Sequence, residues 1–120
     1  MVEQAALAKA QKIDWSEVPE DRVSGGVLRR VVQTQTFTMV HYTYPPHATF
    51  KLHQHPEAQL TYVVRGQIVF DVDGEKQDLE PGDWLYIPGG APHSAKAGSS
   101  GPVVAMNIFS PRRDDFPTGQ

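Results

Sequence analysis

Between Val27 and Phe109 the chain is a series of β-branched and aromatic runs cut by glycine and proline, with no helical period anywhere in that span. This pattern leaves few folds open. Short strands that reverse often can bury an apolar face only by closing on themselves or by stacking as two layers. The runs 27–35, 36–44, 50–55, 59–64, 67–72, 75–79, 84–87, 93–97 and 103–109 are the expected strands. Pro45-Pro46 and Pro88 stop two of them, and Asp73-Gly74 is a hairpin turn signal. The ten glycines and ten prolines fall between the runs, as turns do. An all-β, antiparallel, closed or double-layered structure is expected.

At 120 residues the chain is expected to form one domain, and 39% apolar residues against 21% charged support one core. Residues 1–24 read as an N-terminal arm, with a short helix expected over 1–12 and Trp15 as its apolar anchor. Residues 25–110 read as the β-barrel and 111–120 as a polar tail lying on the surface. A net charge of −3 offers no basic excess to neutralise phosphates, which excludes nucleic acid as a partner. No apolar run approaches the ~18–20 residues that span a bilayer. The first residues lack the basic and apolar regions of a signal peptide, so a cytoplasmic protein is expected. With no cysteine, any metal must use nitrogen and oxygen ligands.

Two clusters supply such ligands: His53, His55 and Gln59, then His93. Strand side chains alternate faces, so His53 and His55 share one face, and Gln59, Thr61 and Val63 share a face on the next strand. Three histidines inside an apolar barrel would be costly to bury unless protons, hydrogen bonds or a metal satisfied them. Three imidazoles and an amide oxygen are a mononuclear transition-metal ligand set, suited to Ni, Zn, Mn, Fe or Cu. His41 and His47 belong to no spaced set and are not expected to be metal ligands. Glu57, beside the Pro56 bend, is expected to face solvent. Lys51 is expected at a bulge or exposed rim, and Trp84, Leu85, Tyr86 and Ile87 in the core.

These residues resemble the cupin superfamily. His53-x-His55, Gln59 and Gly66 fit its first motif, with Gln where the pattern has Glu and without its opening Gly. Gly82, Pro88, Gly90 and His93 fit the second, with Ala97 at its final Asn position. The resemblance implies a small single-domain cupin, a double-stranded β-helix or jelly-roll barrel, and a homodimer like its relatives. Gln59 in place of Glu leaves a divalent ion its full charge, making it a stronger Lewis acid and a better attractor of anions.

The runs Gln59–Val64, Tyr86-Ile-Pro88 and Phe109–Phe116 look like the pectin-degradation cupins, which open 4,5-unsaturated uronates to linear keto sugar acids. Those proteins carry three His and one Gln, and their C-terminal strand and tail bring an acidic residue, a Phe and an Arg to the site. By position Phe109 and Arg113 match the last two, and the acidic position falls on Asn107. The resemblance implies that Arg113 pairs with an anionic substrate's carboxylate and Phe109 walls off its ring. Asn107 cannot exchange a proton, so the resemblance leaves proton transfer to water on the metal or to a residue such as Tyr62, Tyr86 or His47. Two other functions fit the same ligand set: a metal-dependent dioxygenase of a small organic substrate, and a non-catalytic module that binds a sugar or another small ligand.

Overall fold

The computed structural model describes residues 6–116, in ten strands. These are β1 (Glu20–Arg22), β2 (Leu28–Gln33), β3 (Thr38–Tyr44), β4 (Thr49–His53), β5 (Ala58–Arg65), β6 (Ile68–Val72), β7 (Glu75–Leu79), β8 (Trp84–Ile87), β9 (His93–Ala97) and β10 (Val103–Ser110). A six-stranded sheet runs β1-β2-β3-β10-β5-β8 and a four-stranded sheet runs β4-β9-β6-β7, all pairs antiparallel. The expected all-β jelly roll is the fold.

Alternation sets the layers. Along β10, Val103, Ala105, Asn107 and Phe109 point inward, and β5 answers with Gln59, Thr61 and Val63. Ile68, Phe70 and Leu79 come from the other sheet, and with Val63, Ile87 and Val103 they form the apolar core. The β6–β7 turn is Asp73-Gly74, both at positive φ (52° and 83°), the backbone a tight right-twisted hairpin requires.

Three expectations are corrected. The helix over 1–12 does not form across residues 6–12, and the rest of it lies outside the described residues. Leu7 instead bridges Thr34 in parallel, its N–H donating to the Gln33 carbonyl at 2.9 Å. β1 was not expected, because Glu20-Asp21-Arg22 has no apolar alternation. It is held by ladder pairing to β2 and by the Asp21–Arg29 and Glu20–Arg30 ion pairs. Trp84 and Tyr86 are not core residues: they are 57% and 64% exposed on the outer face, and only Leu85 and Ile87 pack against the core. Trp15 does anchor the arm, its ring against His41 at 5.4 Å.

The C-terminal segment is pinned by a polar trio. Thr38, fully buried, donates its hydroxyl to Gln33 Oε1 and accepts the Arg113 N–H at 2.8 Å. Gln33 Nε2 donates to the Arg113 carbonyl at 2.8 Å. Thr38→Val keeps the shape but leaves two buried groups unsatisfied, which costs about 1–3 kcal/mol. The expected outcome is a lower urea midpoint and earlier proteolytic cutting after Pro111. An unchanged midpoint would refute this anchoring.

Candidate metal centre

The first histidine cluster arrives on the end of β4 and the loop beyond it, the second on the start of β9. β4 and β9 pair with His53 opposite His93, after a register shift between Phe50 and His53. The shift leaves Lys51 exposed, as expected, with its carbonyl turned toward the His53 ring. His55 is brought in by the 88–91 loop, whose Gly90 N–H donates to the His55 carbonyl at 2.8 Å. A side chain at Gly89 would put its Cβ 2.2 Å from the Pro56 carbonyl oxygen, so the two loops can touch only if this residue is glycine.

The ring contacts close the cluster. His53 and His93 centroids are 4.3 Å apart, His55 and His93 5.0 Å, and the candidate ligand atoms lie within 4.8 Å of one another. Each Nδ1 faces a backbone carbonyl: His53 to Lys51 at 2.7 Å, His55 to Glu57 at 3.0 Å and His93 to Ala91 at 2.9 Å. A carbonyl can only accept, so Nδ1 carries the proton and each Nε2 keeps its lone pair. Nε2 of His55 and of His93 is buried with no hydrogen-bond partner. Burial also holds the His93 imidazole below its ordinary pKa, which favours the neutral ring. Buried, unpartnered, convergent lone pairs are the donor set of a metal site, and their costly isolation is what an ion would relieve. Three histidines are therefore placed to hold a metal. His41 and His47 stand outside this group.

Gln59 is 4% exposed and lines the same cavity as His53 and His93. Its Nε2 donates to Thr61 Oγ1 at 2.9 Å, and Thr61 donates in turn to Asn107 Oδ1 at 2.7 Å. This relay fixes the amide with Oε1 as the uncommitted atom. It also gives Asn107 a structural task, orienting Gln59 through Thr61.

The cavity beside the histidines is about 70 Å³ and is lined also by Tyr42, Tyr44, Asn107, Phe109, Arg113 and Phe116. Phe109 and Arg113, the two residues the resemblance points to, thus both line this cavity. Tyr62 and Tyr86 do not: Tyr62 stacks on Trp84 on the outer face. His47 is likewise absent from the cavity lining. The cavity tyrosines are Tyr42 and Tyr44, whose hydroxyls burial pushes above the usual phenol range, so both stay protonated at neutral pH. Their shared parity with buried Val40 on β3 was the available signal. Glu57 was expected in solvent but is half-buried, its Oε1 3.7 Å from His55 Nδ1 and 3.9 Å from Arg113 Nε. Phe116 was read as surface tail but caps the cavity, edge-on to Phe109 at 5.5 Å.

Gly89→Ala forces the 88–91 loop off Pro56 and so moves His55 relative to His93. The expected outcome is at least a tenfold loss of zinc or nickel affinity by calorimetry, with the β-sheet circular dichroism retained. Unchanged affinity would show that the loop contact does not set the ligand geometry.

Comparison with known proteins agrees with this geometry. The cupin domain family matches residues 40–109, a span containing both clusters. KdgF from Halomonas sp. is 31% identical, with a TM-score of 0.82 over 89% of this chain and 98% of that one. An RmlC-like cupin from Shewanella frigidimarina NCIMB 400 shares the fold at 24% identity, with a TM-score of 0.79 over 97% of this chain and 99% of that one. An oxalate decarboxylase from Bacillus subtilis, described with Mn(II) centres, shares it at 22% identity and a TM-score of 0.76, over 97% of this chain and 34% of that one. An uncharacterized protein of Aquifex aeolicus (strain VF5) is 41% identical over 63 residues, 52% of this chain and 51% of that protein's length. Matched across both clusters by sequence and along nearly its whole length by structure, the chain belongs to the cupin domain family.

Proposed function

We propose that the chain opens the ring of 4,5-unsaturated uronates to linear keto sugar acids in the cytoplasm, using one divalent metal held by His53, His55, Gln59 and His93. The observation that carries the metal is the set of convergent Nε2 lone pairs, two of them buried without partners. The substrate reading is supported by the likeness of Gln59–Val64 and Phe109–Phe116 to the pectin-degradation cupins and by the 31% identity to a KdgF. A bound ion would supply Lewis acidity toward the substrate's oxygens.

The chain's own residues do the rest. Arg113 offers a planar two-pronged donor for the uronate carboxylate. Phe109 gives the ring an apolar wall. Asn107 cannot donate a proton as an acid would, so in this reading it works by holding Gln59, and the cavity's exchangeable protons sit on Tyr42 and Tyr44.

The test follows the ultraviolet absorbance of a 4,5-unsaturated galacturonate with metal-loaded protein, beside a chelated control. The expected outcome is metal-dependent loss well above the spontaneous rate. His53→Ala with His93→Ala should abolish stoichiometric metal binding and that loss together. Metal should also raise the melting temperature: an ion at 100 times its Kd adds about 2.7 kcal/mol. Metal binding without turnover would leave a cupin that binds small ligands, and oxygen uptake with a redox-active ion would mark a dioxygenase; either would overturn ring opening.

We also propose that the chain pairs with a second copy. Met106, Tyr62 and Trp84 form one cross-strand row on the outer face, and Ile108, Leu60 and Tyr86 the next. No charge interrupts these two rows, so the face complements a copy of itself, and large uncovered apolar patches mark association sites. Light scattering should give twice the 13.3 kDa chain mass, and Trp84→Asp should halve it. A monomeric wild type would refute the pairing.

A further inference from the structure

The guanidinium assigned to the substrate's carboxylate is already held by a carboxylate of the same chain. Arg113 Nε and one terminal nitrogen reach the two oxygens of Asp115 at 3.1 and 2.7 Å, the two-pronged pairing a bound uronate would make. The arginine itself is fixed. Its guanidinium carbon sits 4.8 Å from the Phe109 ring centre and 4.4 Å from that of Phe116, and its backbone is tied to Thr38 and Gln33. Only 15% of the Arg113 side chain is exposed, against 60% for Asp115. One partner is held inside the cavity wall and the other can leave into water. Glu57, 3.9 Å from Arg113 Nε, stays behind as a second counter-charge in either state.

We propose that Asp115 is an internal competitor for Arg113, which an incoming substrate carboxylate must displace. This rests on the uronate reading above and adds a specificity device to it. A tethered group two residues away acts at a high effective concentration, so every carboxylate ligand is weakened by its presence. A simple carboxylate gains only the arginine and is held off. A uronate gains Arg113 together with the ring contacts at Phe109 and Phe116, and so can replace Asp115. Because both are weakened by the same factor, the device sets an affinity threshold, which a sugar acid with its ring contacts passes and a small free carboxylate does not.

The test is calorimetric binding of saturated D-galacturonate, which lacks the 4,5 double bond whose loss the reaction is read from, to the metal-loaded full chain. Asp115→Asn should bind it at least threefold more tightly than wild type and should gain measurable affinity for acetate. D-galactose, lacking the carboxylate, should bind both proteins alike, and Arg113→Gln should lose the galacturonate preference. Unchanged or weaker galacturonate binding in Asp115→Asn would overturn the proposal, since it would mean that Asp115 merely orients the guanidinium. Asp115→Ala, tested alongside, removes any amide contact that Asn might keep and must change in the same direction. Ring opening is read separately, from the absorbance of the unsaturated substrate. Failure there with tighter galacturonate binding here would sink the reaction and leave the competitor standing.

Discussion

The pairing of β4 with β9 is the constraint on which the site depends. It places His53 opposite His93, residues that the sequence separates by four intervening strands, β5 to β8. Neither strand is strongly apolar, so their register rests on what flanks them. β6 pairs with β9 from the other side, aligning Val72 with His93 and Phe70 with Ala95 and tying the second cluster to the core. The 88–91 loop then meets Pro56, and Gly90 claims the His55 carbonyl. With backbone fixed at three points, the imidazoles have little left to decide. Carbonyl hydrogen bonds at each Nδ1 choose the tautomer, and the lone pairs converge because the strands do.

Where strand signals combined apolar alternation with a firm turn, the sequence was a sufficient guide. β5 to β7 and β10 fall within a residue or so of their expected limits, since a one-residue slip would turn their buried faces outward. What escaped had no local signature. Glu20–Arg22 joins a sheet through partners on β2 that no short-range pattern names. Leu7 forgoes a helix for one bridge to Thr34, a choice made by tertiary contact against a marginal local preference. Trp84 and Tyr86 look like core by composition, and only the placement of β8 at the sheet edge shows which face they occupy. The three histidines placed to hold a metal were legible because chemistry restricts their types and strand geometry their spacing. Glu57 and Phe116 were not, because loops carry no parity from which to infer direction.

The two departures from the family patterns are joined in the structure. Gln59 stands where the cupin pattern has Glu, and Asn107 where the pectin-degradation cupins carry an acid. Thr61 links them, accepting from one amide and donating to the other. Because the Thr61 hydroxyl is fully buried and both its bonds are made, the relay has a definite sense, from Gln59 through Thr61 to the Asn107 oxygen. An ionised carboxylate at 107 would also accept from Thr61, but it would bring a negative charge beside three imidazoles. With Asn there, the inner wall is electrically neutral and any ion held by the histidines keeps its full charge.

That neutrality moves the charge problem to the C-terminal segment. Arg113 brings a cation to the cavity rim, and Glu57 and Asp115 surround it with carboxylates. A lone guanidinium facing a metal-bearing pocket would be repelled, whereas a neutralised one can be held close by Phe109 and Phe116 without strong penalty. The pinning trio of Gln33, Thr38 and the Arg113 backbone therefore does two things at once. It ties the C-terminal segment to the six-stranded sheet, and it holds a cation in the wall of the cavity that His53 and His93 line. Under the competition proposed for Asp115, a substrate that carries its own carboxylate would complete such a site, and one without it would leave the Arg113–Asp115 pair undisturbed.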